Sequence, residues 1–324
     1  MKTLSFLTVT LLVAGATHAQ NNTQSLSQTG NSNMGTVTQT GSNSSAGGTQ
    51  VGNSNQLTQT QGEAAGYGNT MNAATTSQRG NNNKATQSQF GSGNQAAITQ
   101  GDGVPTDNAN EAVQLQIGSQ NRATATQLGG TSYSYQEQRG GSNNEAFVTQ
   151  SGGDGNYARQ VQHDATSGYG TNDNRAIIEQ TGNSNRSEQD QMGNNNRATA
   201  IQNGSFNQAS QTQGSNFDGS YNSTALINQL GNSNVATQSQ RGDNQRATIE
   251  QEGSLNTAIQ SQGNSIGSVG NRAYIDQDGD SHYARQIQTG VGNQADTWQG
   301  ANNNTSDVSQ VGNNNTSVVR QNHP

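Results

Sequence analysis

From Asn22 to Gln321 one short pattern, Asn-x-Ala-x-x-x-Gln followed by x-Gly, is written twenty-five times. Clear copies are Asn83–Gln89, Asn94–Gln100, Asn121–Gln127, Asn196–Gln202 and Asn256–Gln262. The closing glutamines run from Gln28 to Gln321, and of their 24 spacings 17 are 11 residues, two are 12 and five lie between 15 and 18. Self-similarity this dense leaves no space for a separate globular domain. It predicts an array in which each unit packs only against its neighbours.

Seven residues is a usual strand length, and Gly with Asn or Ser punctuates the gaps. Alternation along a strand places the first, third, fifth and seventh residues on one face. The fifth position takes no part in defining the pattern, so it tests the register. From the fourth segment to the twenty-second, alternate segments carry Gln there: Gln59, Gln87, Gln114, Gln136, Gln160, Gln189, Gln211, Gln238, Gln260 and Gln286. The segments between carry Thr76, Ile98, Ala125, Val148, Ile178, Ala200, Ile227, Ile249, Ile275 and Thr297. The true unit is therefore two strands, about 22 residues.

Charge gives a second test. Apart from Lys2, the chain holds 13 Lys+Arg and 21 Asp+Glu, and all 34 fall at second, fourth or sixth positions or in the connections. Even the departures on the inner face, Gln24, Leu57, Ser187, Gln245 and His282, are uncharged at neutral pH. A face that excludes charge is a buried face, because an unpaired charge is costly to desolvate. Composition agrees with a repetitive fold: 26% hydrophobic and 4% aromatic residues cannot build a conventional core, and 11% charged residues do not give charge-driven disorder. A formal net charge of −7 leaves no electrostatic footprint for nucleic acid.

Residues 1–19 read as a secretory signal: Lys2, an apolar stretch from Leu4 to Ala16, and Thr17-His18-Ala19 as the cleavage site, with Ala14-Gly15-Ala16 second. No other apolar run approaches membrane-spanning length. The chain has no Cys, so disulfides cannot staple it. Residues 20–324 are then expected to form an all-β fold, a parallel β-solenoid with two strands per turn. Its 25 strand segments would make about 12 two-strand repeats, strand n lying over strand n+2. The inner ladder would include Gln89, Asn94, Ala96, Ile98, Gln100 and Gln127 with the fifth-position residues above. Stacked carboxamides would bond to their copies on neighbouring rungs, as in cross-β assemblies. Gly supplies the positive φ that the short arches need. Pro105 falls in a long connection, and four of the five long connections enter a strand of the isoleucine type, after Gln61, Gln162, Gln213 and Gln262.

The two-strand unit Gln-x-Gly-x-x-Asn-x-Ala-x-x-x-Gln resembles the curlin repeat of the subunit of bacterial curli fibres, and Gln89-Phe-Gly-Ser-Gly-Asn94-Gln-Ala96-Ala-Ile-Thr-Gln100 carries it closely. The resemblance covers nearly all of residues 20–324, with Asn in most places where curlin repeats have a first-strand Ser. It implies a secreted, cross-β, fibre-forming subunit of an extracellular amyloid in the biofilm matrix, supporting adhesion and aggregation of cells. It further implies a nucleator subunit, an outer-membrane secretion channel and periplasmic chaperones as partners.

Self-assembly is also expected from the ends. A soluble solenoid carries polar capping units, yet the first segment (Asn22, Leu26, Gln28) and the last (Asn315, Val319, Gln321) follow the repeat. Their edges read as open, uncharged and self-complementary, favouring a head-to-tail homopolymer. The rival is a monomeric secreted solenoid binding a periodic surface, ice or polysaccharide, through outward threonines such as Thr86, Thr124, Thr126 and Thr199.

No enzyme, cofactor or metal site is expected. Gly263-Asn-Ser265-Ile-Gly267 lacks the strand-to-helix context of a nucleophile elbow. Gly153-Asp-Gly155-Asn-Tyr-Ala158 has no helix behind it, and Gly152-Gly-Asp-Gly155 lacks the nine-residue calcium period. His163, His282 and His323 are scattered, with His282 standing in for an inner Asn, and Asp278 with Asp280 reads as a solvated arch. Arg122, Arg175, Arg186, Arg197, Arg246 and Arg272 share the outward second position, and Tyr67, Tyr169 and Tyr221 lie in long connections.

Overall fold

The computed structural model describes residues 8–12, 21–62, 70–101, 108–163, 171–215, 219–263 and 267–322. The signal-sequence reading therefore lies mostly outside the described residues, as do Pro105, Tyr67, Tyr169, Ser265 and His323. Among the described residues there is no helix, and every described strand pair is parallel. The chain divides into two units, Met1–Tyr157 and Ala158–Pro324. Each is a β-solenoid of two facing sheets.

In the first unit one sheet is built from Met34–Gln39, Gln56–Gly62, Lys84–Ser92, Glu111–Ser119 and Tyr133–Ser142. Register sets Gln59 beside Gln87, Gln87 beside Gln114 and Gln114 beside Gln136, so this is the glutamine sheet. The facing isoleucine sheet contains Thr23–Thr29, Ser45–Val51, Ala73–Arg79, Gln95–Gln100, Arg122–Gln127 and Glu145–Ser151. There Thr76, Ile98, Ala125 and Val148 form one column. Thr8–Leu12 pairs parallel with Met34–Gln39, with Val9 at the Gly35 position and Leu11 at the Val37 position.

The second unit repeats the plan. Its glutamine sheet includes Arg186–Gln191, Gln208–Gln213, Val235–Gln240, Thr257–Gln262, Tyr283–Thr289 and Thr305–Val311. Its isoleucine sheet runs through Arg175–Thr181, Arg197–Ser205, Thr224–Asn232, Arg246–Ser254, Arg272–Asp278, Gln294–Gln299 and Thr316–Gln321. Gly193–Asn194 and Ser220–Tyr221 add a two-residue bridge between connections.

The sheets can face each other closely because the third position is mostly Ala. Where a leucine intrudes near the start of the array, a partner shrinks. Leu57 takes an Ala position, and a Cβ on Gly48 would lie 2.3 Å from Leu57 Cδ2, while one on Gly35 would lie 2.5 Å from Leu26 Cδ2. Two leucines are thus matched by two glycines, and Leu57 joins Ala85, Ile98, Ala112 and Ala125 in a buried cluster touched by Leu26.

The arches need more than the sequence reading allowed. Gly52 has φ +120° with Gly80 stacked against it, so an added Cβ would meet the Gly80 carbonyl oxygen at 1.9 Å. A second left-handed residue precedes most opening asparagines and is usually not glycine: Ser54 has φ 56°, and Phe206 and Leu255 have φ 60° and 61°. Asn and Ser tolerate this conformation by bonding locally. Several strands also run past seven residues, as in Lys84–Ser92, because the ladder continues through the closing Gln into the arch.

Candidate polymerisation edges

Every expected ladder residue among the interior strands is buried: the fifth-position glutamines, Gln89, Asn94, Ala96, Ile98, Gln100, Gln127, Val148, Ile178, Ile227, Ile249 and Ile275. Burying so many carboxamides requires that each be bonded on both sides. The structure does this with a fixed gesture. Gln61 Nε2 donates to the Ser45 carbonyl across the core at 2.9 Å and to Gln89 Oε1 on the next rung at 2.8 Å. The carbonyl accepts only, so the nitrogen must face it, and the oxygen is left for the rung before.

That constraint gives each ladder a direction. In the first unit the seventh-position amides donate from Gln39 to Gln61, Gln89, Gln116 and Gln138, and from Gln28 to Gln50, Gln78, Gln100, Gln127 and Gln150. In the second unit they run from Gln162 through Gln191, Gln213, Gln240, Gln262 and Gln288 to Gln310, and from Gln180 through Gln202, Gln229, Gln251, Gln277 and Gln299 to Gln321. All of them point from earlier to later strands.

The two ends therefore differ. Among the described residues, Gln28 Oε1 and Gln39 Oε1 are buried acceptors without a donor. At the other end, among the described residues, Gln310 Nε2 and Gln321 Nε2 meet only the facing carbonyls of Gln294 and Thr305. The expected edge residues Asn22, Leu26, Gln28, Asn315, Val319 and Gln321 are half-buried where their interior counterparts are buried. The missing cover is one more rung. An open cleft between Thr305–Val311 and Thr316–Gln321 is lined by Val308, Gln310, Ser317 and Val319.

The expectation of uncharged edges needs one correction. Arg320 and Asp307 point outward from the last two strands, Arg320 over the Trp298 ring at 4.7 Å and Asp307 beside Arg285 at 3.1 Å. The inner positions carry no charge. On the outer face register brings Arg175 beside Arg197 and Arg246 beside Arg272, while Arg122 lies over Phe147 and Arg186 meets Glu188.

His282 keeps its place in the asparagine ladder. Its backbone N–H donates to Asn256 Oδ1, Asn304 N–H donates to its Nδ1 at 3.2 Å, and Nε2 donates to the Asp278 carbonyl. In this arrangement Nδ1 accepts in the place of an asparagine oxygen. Asp280 Oδ1 accepts from Ser254 N–H within an arch. His163 meets Asp190 at 3.1 Å. Among the described residues no three His, Asp or Glu side chains converge to hold a metal, and no helix is long and apolar enough to cross a membrane.

Sequence reasoning missed Asp296. Its outward fourth position predicts exposure, yet it is 5% exposed, bonded by Gln294 Nε2 at 2.7 Å with Arg272 at 3.4 Å. The available signal was the large side chains around it, Tyr274 one rung earlier and Trp298 two residues on.

The curlin associated repeat matches residues 72–101 and 221–253. These two segments carry the curlin repeat. The two matches fall one in each unit, on strands whose seventh-position glutamines belong to the ladders above. No match is found among curated proteins. The curlin repeat here is thus a β-arch whose Gln and Asn columns hold one rung to the next.

Proposed function

We propose that this protein is a secreted structural subunit, not an enzyme, that self-assembles by templated head-to-tail stacking into extracellular curli-type amyloid fibres of the biofilm matrix. There the fibres would support adhesion and aggregation of cells. One observation carries the reading: both terminal strands continue the repeat and leave donorless Gln28 and Gln39 oxygens at one end and laddered but unmatched Gln310 and Gln321 nitrogens at the other. An unpaired sheet edge is a template for another strand. A fibre end would order an incoming chain rung on rung. The curlin repeat supports a nucleator, an outer-membrane channel and periplasmic helpers as partners. Denatured residues 20–324 diluted into buffer should give fibres with reflections at about 4.8 and 10 Å that seed fresh chain. A folded, soluble monomer at high concentration would overturn the proposal.

A second reading rests on one specific column. Ser27, Thr49, Ser77, Thr99, Thr126 and Thr149 lie in register on the outer face of the first unit's isoleucine sheet. Six hydroxyls on successive rungs are what a solenoid binding a periodic surface, ice or polysaccharide, would present. Retention of soluble monomer on an insoluble polysaccharide or ice, lost on replacing Thr99 and Thr126 by Lys, would favour it.

A further inference from the structure

The fibre reading leaves open which strand of an incoming chain meets which strand of the end it joins. Apart from Thr8–Leu12 and the two-residue bridge strands, the described strands number twenty-five, which is odd. They alternate between glutamine and isoleucine types, and both terminal strands, Thr23–Thr29 and Thr316–Gln321, are of the isoleucine type. Stacking like on like would place Thr23–Thr29 on Thr316–Gln321. Thr305–Val311 would then face a rung with no strand in it, and Gln310 Nε2 and Gln39 Oε1 would remain unmatched.

Resting on that reading, we propose that the sheets exchange identity at each junction between copies. The incoming Thr23–Thr29 adds to Thr305–Val311, and the incoming Met34–Gln39 adds to Thr316–Gln321. No strand position is left empty. Gln310 Nε2 then donates to the incoming Gln28 Oε1, and Gln321 Nε2 to the incoming Gln39 Oε1, so both orphan acceptors gain a donor. The asparagine ladder continues in the same way. Asn315 N–H already bonds Asn293 Oδ1 at 2.9 Å, and Asn33 N–H would bond Asn315 Oδ1.

The fifth position shows why such an exchange is tolerated here and nowhere inside the chain. An interior exchange would bury a Gln amide against Ile with nothing to bond, which is costly. At the ends the distinction is erased. Val37 and Val308 occupy the glutamine column, and Leu26 and Val319 the isoleucine column. The contacts made across the junction are Leu26 on Val308 and Val37 on Val319, both apolar. The glutamine column is closed off before it reaches either end: Gln286 Nε2 turns to Thr297 Oγ1 at 2.9 Å instead of the next rung, and Gln59 Oε1 accepts nothing from below.

The absence of cysteine makes the test clean. Ser25, Asp307 and Val318 share the outward fourth position of their strands. Fibres are grown from residues 20–324 as equal mixtures of two single-cysteine variants, treated with a short thiol cross-linker and dissolved. In the exchanged junction S25C and D307C sit on neighbouring strands about 4.8 Å apart, whereas S25C and V318C lie on opposite faces of two sheets themselves about 10 Å apart. The expected result is covalent dimer from S25C with D307C, and loss of it from S25C with V318C. The reverse pattern, or fibres that cross-link in neither mixture, overturns the exchange. Failure of the unsubstituted chain to form fibres overturns the assembly reading itself, and the junction with it.

Discussion

Gln189 Nε2 donates to Gln211 Oε1 at 2.7 Å, and Gln211 in turn donates to Gln238 Oε1 and to the Thr199 carbonyl, both at 2.9 Å. Gln211 is thus donor and acceptor at once, and its two amide hydrogens are both spent. Inside the column a group that lacks either role would leave a neighbour's donor or acceptor unmet.

Gln211→Glu keeps the shape and removes the donors. A carboxylate would face the Thr199 carbonyl and Gln238 Oε1, and leaving a buried charge uncompensated costs about 3–5 kcal/mol. Fibre growth followed by seeded turbidity should fall sharply and recover in part when acid protonates the carboxyl. Arg197→Asp, on the exposed face, should change stability by no more than about 0.5 kcal/mol. Equal losses from the two variants would refute the assignment of inner and outer faces.

Gly231 has φ +114°, and a Cβ there would lie 2.0 Å from the Gly253 carbonyl oxygen. Gly231→Ala should therefore destabilise the fold by roughly 1–3 kcal/mol, from backbone strain alone. Gly47→Ala meets nothing within 4 Å. It should be neutral or stabilise by about 0.5 kcal/mol through the unfolded state. Denaturant midpoints of the two variants measure the contrast.

Val37→Gln would give the orphan Gln59 Oε1 a donor while presenting an amide to Val319 of the next copy. The chain itself should hold or gain stability, and fibre elongation should slow. Unchanged elongation would remove the reason offered for apolar fifth positions at the ends.

Thr8–Leu12 occupies the free edge of Met34–Gln39. A chain retaining residues 1–19 should elongate more slowly than residues 20–324 at equal concentration, with a longer lag in unseeded assembly. Identical lag and rate would show that this edge takes no part in growth.

Burial raises the Tyr274 hydroxyl far above its ordinary value, and its bond to Glu250 at 2.7 Å and the nearby Asp276 carboxylate add to the rise. The folded chain holds this proton more tightly than the unfolded one. The associated stability is whole below about pH 10 and declines as the pH climbs beyond it. Phenolate absorbance should therefore show a late step, and Tyr274→Phe should remove it.

The inner face was legible in the sequence because burial acts on alternate residues and excludes charge, so Gln160 and Ile178 could be set in opposite sheets from spacing alone. The direction of the ladders was not. A glutamine reads the same whichever way its amide lies, and only the facing carbonyl, such as Ser45 O opposite Gln61, fixes it. Phe206 and Leu255 in left-handed arch positions were equally hidden, since stacking of successive arches overrides the preference of a single residue. Asp296 escaped notice because neighbours on adjacent rungs, 24 residues away at Arg272, decide its exposure.

The one-way glutamine ladders also make each unit electrically lopsided along its stacking direction. Side-chain dipoles that alternated would cancel; these add, as peptide dipoles add along a helix. One face of the stack shows glutamine oxygens and the other glutamine hydrogens, so these ladders oppose two ends of the same kind at close approach and favour unlike ends. Pieces of a broken fibre could then rejoin in one sense only.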